Sequence, residues 1–413
     1  MDARRLQRAR LAAAVRQVNA QGEQSMDIRI PFNKPHLTGR EAEYLRVVAE
    51  SGHLSGNGPF TKRCQAFFES RYGFRKCLLT TSCTDALEMA ALLTGVGPGD
   101  EVIVPSYTFV STALAFVRTG ATVVFADSCR DNPNVDPEDV ARCITPRTKV
   151  IAPVHYAGVA CDMDAIMTLA ERHGLLVVED AAQAIDAYHV SAGGVRRPLG
   201  SIGHLAAFSF HETKNVVCGE GGLLVVNDER FVRRTEILWE KGTNRAEFFR
   251  GEVNKYGWVD VGSSFLPSEL VAAYLWAQLE SLDEIQARRK AVWETYNRFF
   301  TSLKTPFPLG LPDVPGYATN NAHNYYLVFP GLATRTPFAA AMKERGVACP
   351  FHYLPLHSSD YYRQLTAARP ELAARPLPNC DRFADGLVRL PLFADLDQVD
   401  EVCTVAAECL TVL

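Results

Sequence analysis

No run of this 413-residue sequence approaches the roughly 18 to 20 consecutive apolar residues that a membrane-spanning helix requires. A membrane partner is therefore not expected. Neither sign of charge dominates: 43 lysines and arginines stand against 47 aspartates and glutamates, a formal net charge of −4. That balance offers no general attraction for polyanions, and a nucleic-acid partner is not expected either. Paired cysteines are also lacking. Eleven cysteines are scattered with no C-x-x-C pair and no Cys/His cluster at zinc spacing, and no two histidines have the spacing of a zinc protease helix. A disulfide framework and a metal site are thus not expected, and a reducing cytoplasm fits best.

What is present is ample apolar material, 47% of the residues, enough for a large core and a second, smaller one. The first 25 residues stand apart, with five arginines against two acids and few large apolar side chains. They lack the apolar centre of a secretory signal and read as a mobile or loosely docked tail. From residue 77 onward, short apolar runs alternate with helical patterns: "CLLTTS", "EVIVPS", "ATVVFAD", "KVIAPVH", "LLVVED", "HLAAFSF" and "GGLLVV". Seven strands follow, in an α/β sheet that is mostly parallel. The helical patterns "DALEMAALLTG" and "MDAIMTLAERHG" each end at a glycine, as helices often do. The connection from His211 to Glu220 is shorter than a parallel crossover needs, so the seventh strand is expected to run antiparallel to the sixth.

Ligands of open α/β sheets gather beyond the carboxyl ends of the strands. Three such ends carry chemistry. After "LLVVE" comes Asp180, a carboxylate that is either a helix N-cap before "AAQAI" or a buried acid needing a cation. After "AAFSF" comes "HETK", with a lone lysine, Lys214, that snorkels, pairs or is used chemically. After "LLTT" comes "SCTDALEMAALL", whose small hydroxyl residues open a helix as plain caps or as a seat for phosphate. A phosphate seat, an acid and a lysine are what pyridoxal 5'-phosphate requires.

With "SCTDAL", "VPSYTFVSTA", "VVEDAAQAI", "FSFHETKN", "GEGG", "SSFLPSEL" and "FHYLPLH" in this order, the chain resembles the DegT/StrS sugar-nucleotide aminotransferases, of the fold type I group of pyridoxal phosphate enzymes. The resemblance runs from about residue 30 to the C-terminus. It implies a large cofactor domain over residues 26–290 and a small α/β domain over 291–413. It further implies that Lys214 bonds covalently to the cofactor's aldehyde, that Asp180 pairs with the pyridine nitrogen, that Gln183 lies near the ring's phenolic oxygen, and that Phe109 stacks on the ring. Phosphate donors by the same matching are the amides of Cys83 and Thr84, the Thr84 hydroxyl and Ser209. Cys83 departs from the glycine usual at its position. Ser264 stands where asparagine is commoner, a residue that reaches the phosphate in the neighbouring subunit, so a homodimer with shared active sites is implied. Glycines 219, 221 and 222 are expected to supply the positive φ angles of a tight turn behind the lysine.

Around the substrate, His155 and Tyr156 follow the fourth strand and by position line the site. His352, Tyr353 and His357 lie in a phrase associated with substrate, and His323 begins a strand of the second domain. The implied reaction takes an amino group from L-glutamate, with pyridoxamine phosphate between the two halves, to C4 of dTDP-4-keto-6-deoxy-D-glucose. A 3-keto isomer as acceptor, or a non-catalytic cofactor-binding regulator, are the alternatives. Arg245 and Arg250 are candidate anion contacts, although arginines on a loop are more often simply solvated.

Overall fold

The computed structural model describes residues 28–373 and 375–411, so the N-terminal tail lies outside the described residues. The seven apolar runs form one sheet: β1 (Lys76–Thr80), β2 (Glu101–Pro105), β3 (Thr122–Ala126), β4 (Thr148–Ile151), β5 (Leu176–Asp180), β8 (Leu205–Ser209) and β9 (Gly222–Val226). A small hairpin, β6 (Tyr188–Val190) with β7 (Arg196–Pro198), stands apart from it. The strand order is β1-β9-β8-β5-β4-β2-β3. From β8 to β3 all pairings are parallel, whereas β9 is antiparallel to both β8 and β1. The short connection before β9 forces that reversal, as its length predicts.

These strands read as continuous apolar runs because both faces of the sheet are covered. Alternate residues divide between two cores: Ile103, Ile151, Val177, Ala206 and Val225 pack on one side, and Val102, Val150, Val178, Ala207 and Val226 on the other. The helices Cys83–Thr94 and Met163–His173 match the two helical patterns, and each stops at a left-handed glycine, Gly95 and Gly174. The fourth strand is shorter than its apolar run suggests. Pro153 has no N–H for a ladder, so β4 stops short and pairs with β5 again at a single bridge, Val154 with Asp180, where the Asp180 amide donates to the Pro153 carbonyl at 2.8 Å and the His155 amide to the Asp180 carbonyl at 3.1 Å.

A second sheet pairs β10 (Tyr325–Val328) with β11 (Leu387–Leu390), antiparallel. Helices Leu282–Ser302, Leu332–Glu344 and Val399–Thr411 cover it and share a third core. Ile30 belongs to that core and bridges to Val347, so the first described residues pack on this unit rather than on the large sheet. No helix among the described residues is long and apolar enough to cross a membrane.

Candidate active site

A cavity of about 510 Å³ opens beyond the carboxyl ends of β5 and β8, where the helix Cys83–Thr94 begins and residues 352, 353 and 389 of the second unit close over it. Its size suits a cofactor and a small substrate. Lys214 enters from the loop between β8 and β9, held by a hydrogen bond from its own amide to the His211 carbonyl at 2.9 Å. Its amine has no hydrogen bond or ion pair among the described residues. Burial lowers its affinity for a proton, the nearby Cys83 and Asp180 pull part of the way back, and the positive charge of Arg389 adds to the fall. The neutral amine is thereby favoured, the form that can attack a carbonyl carbon or accept a proton.

Asp180 closes β5 and is buried. Its Oδ2 accepts from the Thr112 hydroxyl at 2.7 Å and its Oδ1 from the Ala182 amide at 3.1 Å. Burial still pushes its carboxyl above the ordinary value, against those hydrogen bonds and the charge of Lys214, so the site is short of a cation at this point. Residues 181–186 make turns and no helix, which rules out the N-cap reading of Asp180. Glu179, one residue earlier, faces the opposite way. It accepts from the amides of Gly200, Ile202 and Gly203 and shares a 2.9 Å hydrogen bond with His155.

Several expected residues do meet in the cavity: Cys83, Thr84, Phe109, Asp180, Gln183, Ser209, Lys214, His352 and Tyr353. Ser82 caps the helix through the Asp85 amide, which leaves the amides of Cys83 and Thr84 directed at the cavity with no protein partner among the described residues. The Thr84 hydroxyl shares a 2.7 Å hydrogen bond with Ser111, a wall residue that the sequence reading did not single out. Phe109 is 57% exposed at the mouth and is not core packing. Gln183 accepts from the Ala157 amide at 2.7 Å and donates to the Tyr353 hydroxyl at 3.0 Å, so one of its N–H bonds is left for a ligand.

Others do not reach it. His155 is wholly buried behind Asp180 against Glu179, and Tyr156 is buried with its hydroxyl bonded to His352 at 2.7 Å. Position after a strand gave these two their place in the chain but not the direction of their side chains. His323 bonds Asn215 at 2.8 Å, gripping the residue after Lys214 from behind, and burial keeps the ring neutral. His357 is tied to Ser106 at 2.7 Å, away from the cavity wall. Ser264 lies in a different cleft, about 760 Å³, with Lys62, Lys241, Arg245 and Arg250. Arg245 and Arg250 each lie against acids there, Glu240, and Glu236 with Glu252.

The glycine expectation also needs correcting. Only Gly219 of the three has a positive φ, 84°. Gly222 is required for space: a Cβ there would lie 2.4 Å from the Ser82 carbonyl and 2.5 Å from the Cys83 nitrogen, so its absence lets the helix start press onto β9. Arg389, on β11, was missed entirely, although an arginine inside "LVRL" is itself a signal.

Residues 35–408 match the DegT/DnrJ/EryC1/StrS aminotransferase family. The chain belongs to this family. As a DegT/StrS aminotransferase it is 34% identical over 385 residues, 90% of this chain and 95% of the relative, to the spore coat polysaccharide biosynthesis protein SpsC of Bacillus subtilis. Its fold superposes on the aminotransferase TlmJ of Streptoalloteichus hindustanus, with a TM-score of 0.83, 29% identity, and 93% and 99% of the two chains covered. A sugar aminotransferase of Streptococcus pneumoniae, solved with PMP and with PLP, gives 0.83 in the PMP form at 25% identity, covering 93% and 99%. This DegT/StrS aminotransferase is thus a pyridoxal-phosphate-dependent sugar aminotransferase of fold type I, acting on a nucleotide sugar and an amino donor. The residues present fit the cofactor: a lysine with no partner among the described residues, a buried acid short of a cation, and open amides with hydroxyls at a helix start pressed close by Gly222.

Proposed function

We propose that this enzyme transfers the amino group of L-glutamate to C4 of dTDP-4-keto-6-deoxy-D-glucose, giving a dTDP-4-amino-4,6-dideoxy sugar. The observation that carries the chemistry is Lys214 and Asp180 facing one cavity at neighbouring strand ends, with the proton affinity of each moved by burial. Pyridoxal phosphate, when bound, supplies an aldehyde carbon and a ring that withdraws electrons from the donor's α carbon. The Cys83 and Thr84 amides, the Thr84 hydroxyl and Ser209 would hold its phosphate, and Phe109 would pack against the cofactor at the mouth of the cavity. Asp180 holds the proton on the ring nitrogen. Two unit charges about 4 Å apart attract by roughly 4 kcal/mol at an effective dielectric of 20, which supplies the cation this carboxylate lacks. Gln183 offers its remaining N–H to the ring's phenolic oxygen.

Lys214 carries the proton. Its Nζ takes it from the α carbon of glutamate in the first half of the reaction, and in the second half it delivers one to C4 of the sugar. A fixed Nζ explains regiospecificity, since moving the carbonyl one ring position displaces it by more than ~1 Å, a misplacement that can cost about a hundredfold in rate. The choice of C4 rests on sequence: residues 210–222 and 239–280 look most like the enzymes that make 4-amino-4,6-dideoxy sugars. The name of the Bacillus relative, which places it in polysaccharide biosynthesis, supports a glycan as the destination. The active unit in this reading is a cytoplasmic homodimer in which Ser264 and its cleft complete the partner's phosphate site. Incubation with glutamate and each keto sugar, followed by NMR of the product, tests the assignment. Nitrogen at C4 is expected, and faster formation of a 3-amino product would overturn it.

A further inference from the structure

We propose that Arg389 takes the α-carboxylate of the amino-acid donor. This rests on the aminotransferase reading above and adds to it the group that orients the donor.

Arg389, on β11, lines the same cavity as Lys214, near enough for its charge to act on the lysine. Its Nη2 donates to the Phe351 carbonyl at 3.0 Å, and its guanidinium lies 4.2 Å from the centre of the Phe32 ring. Its Nε is buried with no hydrogen-bond partner among the described residues. The two acids on the cavity wall, Asp180 and Glu220, make no ion pair with it, and neither does any other acid among the described residues. Arginine is the side chain least able to lose its proton, and a largely buried guanidinium held by one carbonyl and one ring face still lacks its anion. Burial lowers even this group's proton affinity, the direction expected when no carboxylate offsets the desolvation.

Three anions can come to the pocket. The cofactor's phosphate has its seat at the start of the helix Cys83–Thr94, on the large sheet, and Arg389 belongs to the small one. The diphosphate of a nucleotide sugar is separated from the reacting carbonyl by the sugar ring. The α-carboxylate of an amino acid is one bond from the carbon that gives up its proton to Lys214. A guanidinium that shares the cavity with Lys214 can hold that carboxylate in a planar, two-bonded grip and so turn the Cα–H toward Nζ.

The test measures each half of the reaction on the holoenzyme by absorbance, for wild type, Arg389→Gln and Arg389→Lys. Loss of a charged hydrogen-bonded contact corresponds to about 10- to 100-fold. Arg389→Gln is expected to raise the glutamate concentration needed for half-maximal rate by that factor, and to weaken binding of unreactive glutarate by calorimetry. The half-reaction with keto sugar should stay within about twofold, and Arg389→Lys should recover part of the loss. L-alanine, which has only an α-carboxylate, should suffer as glutamate does. A loss confined to glutamate would move the contact to the side-chain carboxylate and overturn the proposal. A loss confined to the keto-sugar half would assign Arg389 to the diphosphate, and equal loss in both halves would make it structural. If Arg389→Gln does not fold, Arg389→Lys decides, with an unchanged requirement for glutamate counting against the proposal. A wild-type enzyme that no amino acid converts would sink the aminotransferase reading itself, a result distinct from any of these.

Discussion

The cavity around Lys214 and the cleft around Ser264 both carry charged side chains and are both of ligand size, yet they are built in opposite ways. The first is walled by strand ends and a helix start, and its functional side chains are clamped from behind: Asp180 by Thr112, and Asn215, next to Lys214, by His323. The second is walled largely by residues 239–268 and lined with cations, and the same stretch exposes Phe249 by 70% and Trp258 by 84%. Phe249 and Tyr256 both lie edge-on against Phe248, so apolar surface is continuous there, the kind that marks an interaction face. The contrast teaches that the lysine and the acid of the first site are positioned by this chain's own core, whereas the second carries Ser264, the residue that in the proposed reading completes the phosphate site of a second copy.

The largest expected effect breaks the enclosed site. Lys214→Ala removes the covalent anchor and the proton carrier together, so turnover should fall by at least ~10³-fold while circular dichroism stays that of a folded protein. Lys214→Arg should do no better, because guanidinium stays protonated. Near wild-type rates in either variant would refute the assignment. Gly222→Ala comes next, and it acts on the frame instead of the chemistry. Its new Cβ would meet the Ser82 and Cys83 backbone, with an expected loss of about 3 kcal/mol in urea unfolding. An unchanged midpoint would show that the helix start can give way.

The open cleft should respond to concentration. Dilution to monomer is expected to release cofactor and activity together, read by light scattering and absorbance. Ser264→Asn should be tolerated, with cofactor binding equal or slightly tighter. A fully active monomer would make the cleft irrelevant to catalysis.

The smallest effect concerns the cost of burying Lys214. Its folded proton affinity lies below the ordinary value of 10.5, so unfolding takes up protons and the penalty is full while both states are charged. In cofactor-free protein, Lys214→Met should be more stable than wild type at about pH 7, and the gap should narrow as pH rises toward about 10. Thermal unfolding across that range checks it, and a gap that widens with pH would reverse the sign.

How much of this was legible beforehand follows from the same contrast. The seven strands could be read because strands buried on both faces are continuous apolar runs, and Asp180 and Lys214 could be read because polar residues at the ends of such runs face the crevice. The short loop before β9 gave its direction. His155 and Tyr156 were misplaced because position after a strand does not fix which way a side chain points: the chain still runs beside β5 at Val154, and the two side chains that follow are buried in the core. Gly222 was assigned to φ when its reason is contact with a helix from elsewhere in the chain, which local sequence cannot show. Arg389 escaped because an arginine inside "LVRL" marks an unusual position but not the cavity it reaches, which the docking of the second sheet decides.

The central claim is that Lys214 and its cavity make this chain an aminotransferase that draws nitrogen from glutamate. Titrating the purified, cofactor-loaded protein with L-glutamate tests it most directly, with the visible absorbance and the appearance of 2-oxoglutarate followed together. The visible band should bleach as the cofactor passes to its amine form, with one 2-oxoglutarate released per site. A spectrum that no amino acid changes, with no oxo acid formed, would contradict the account.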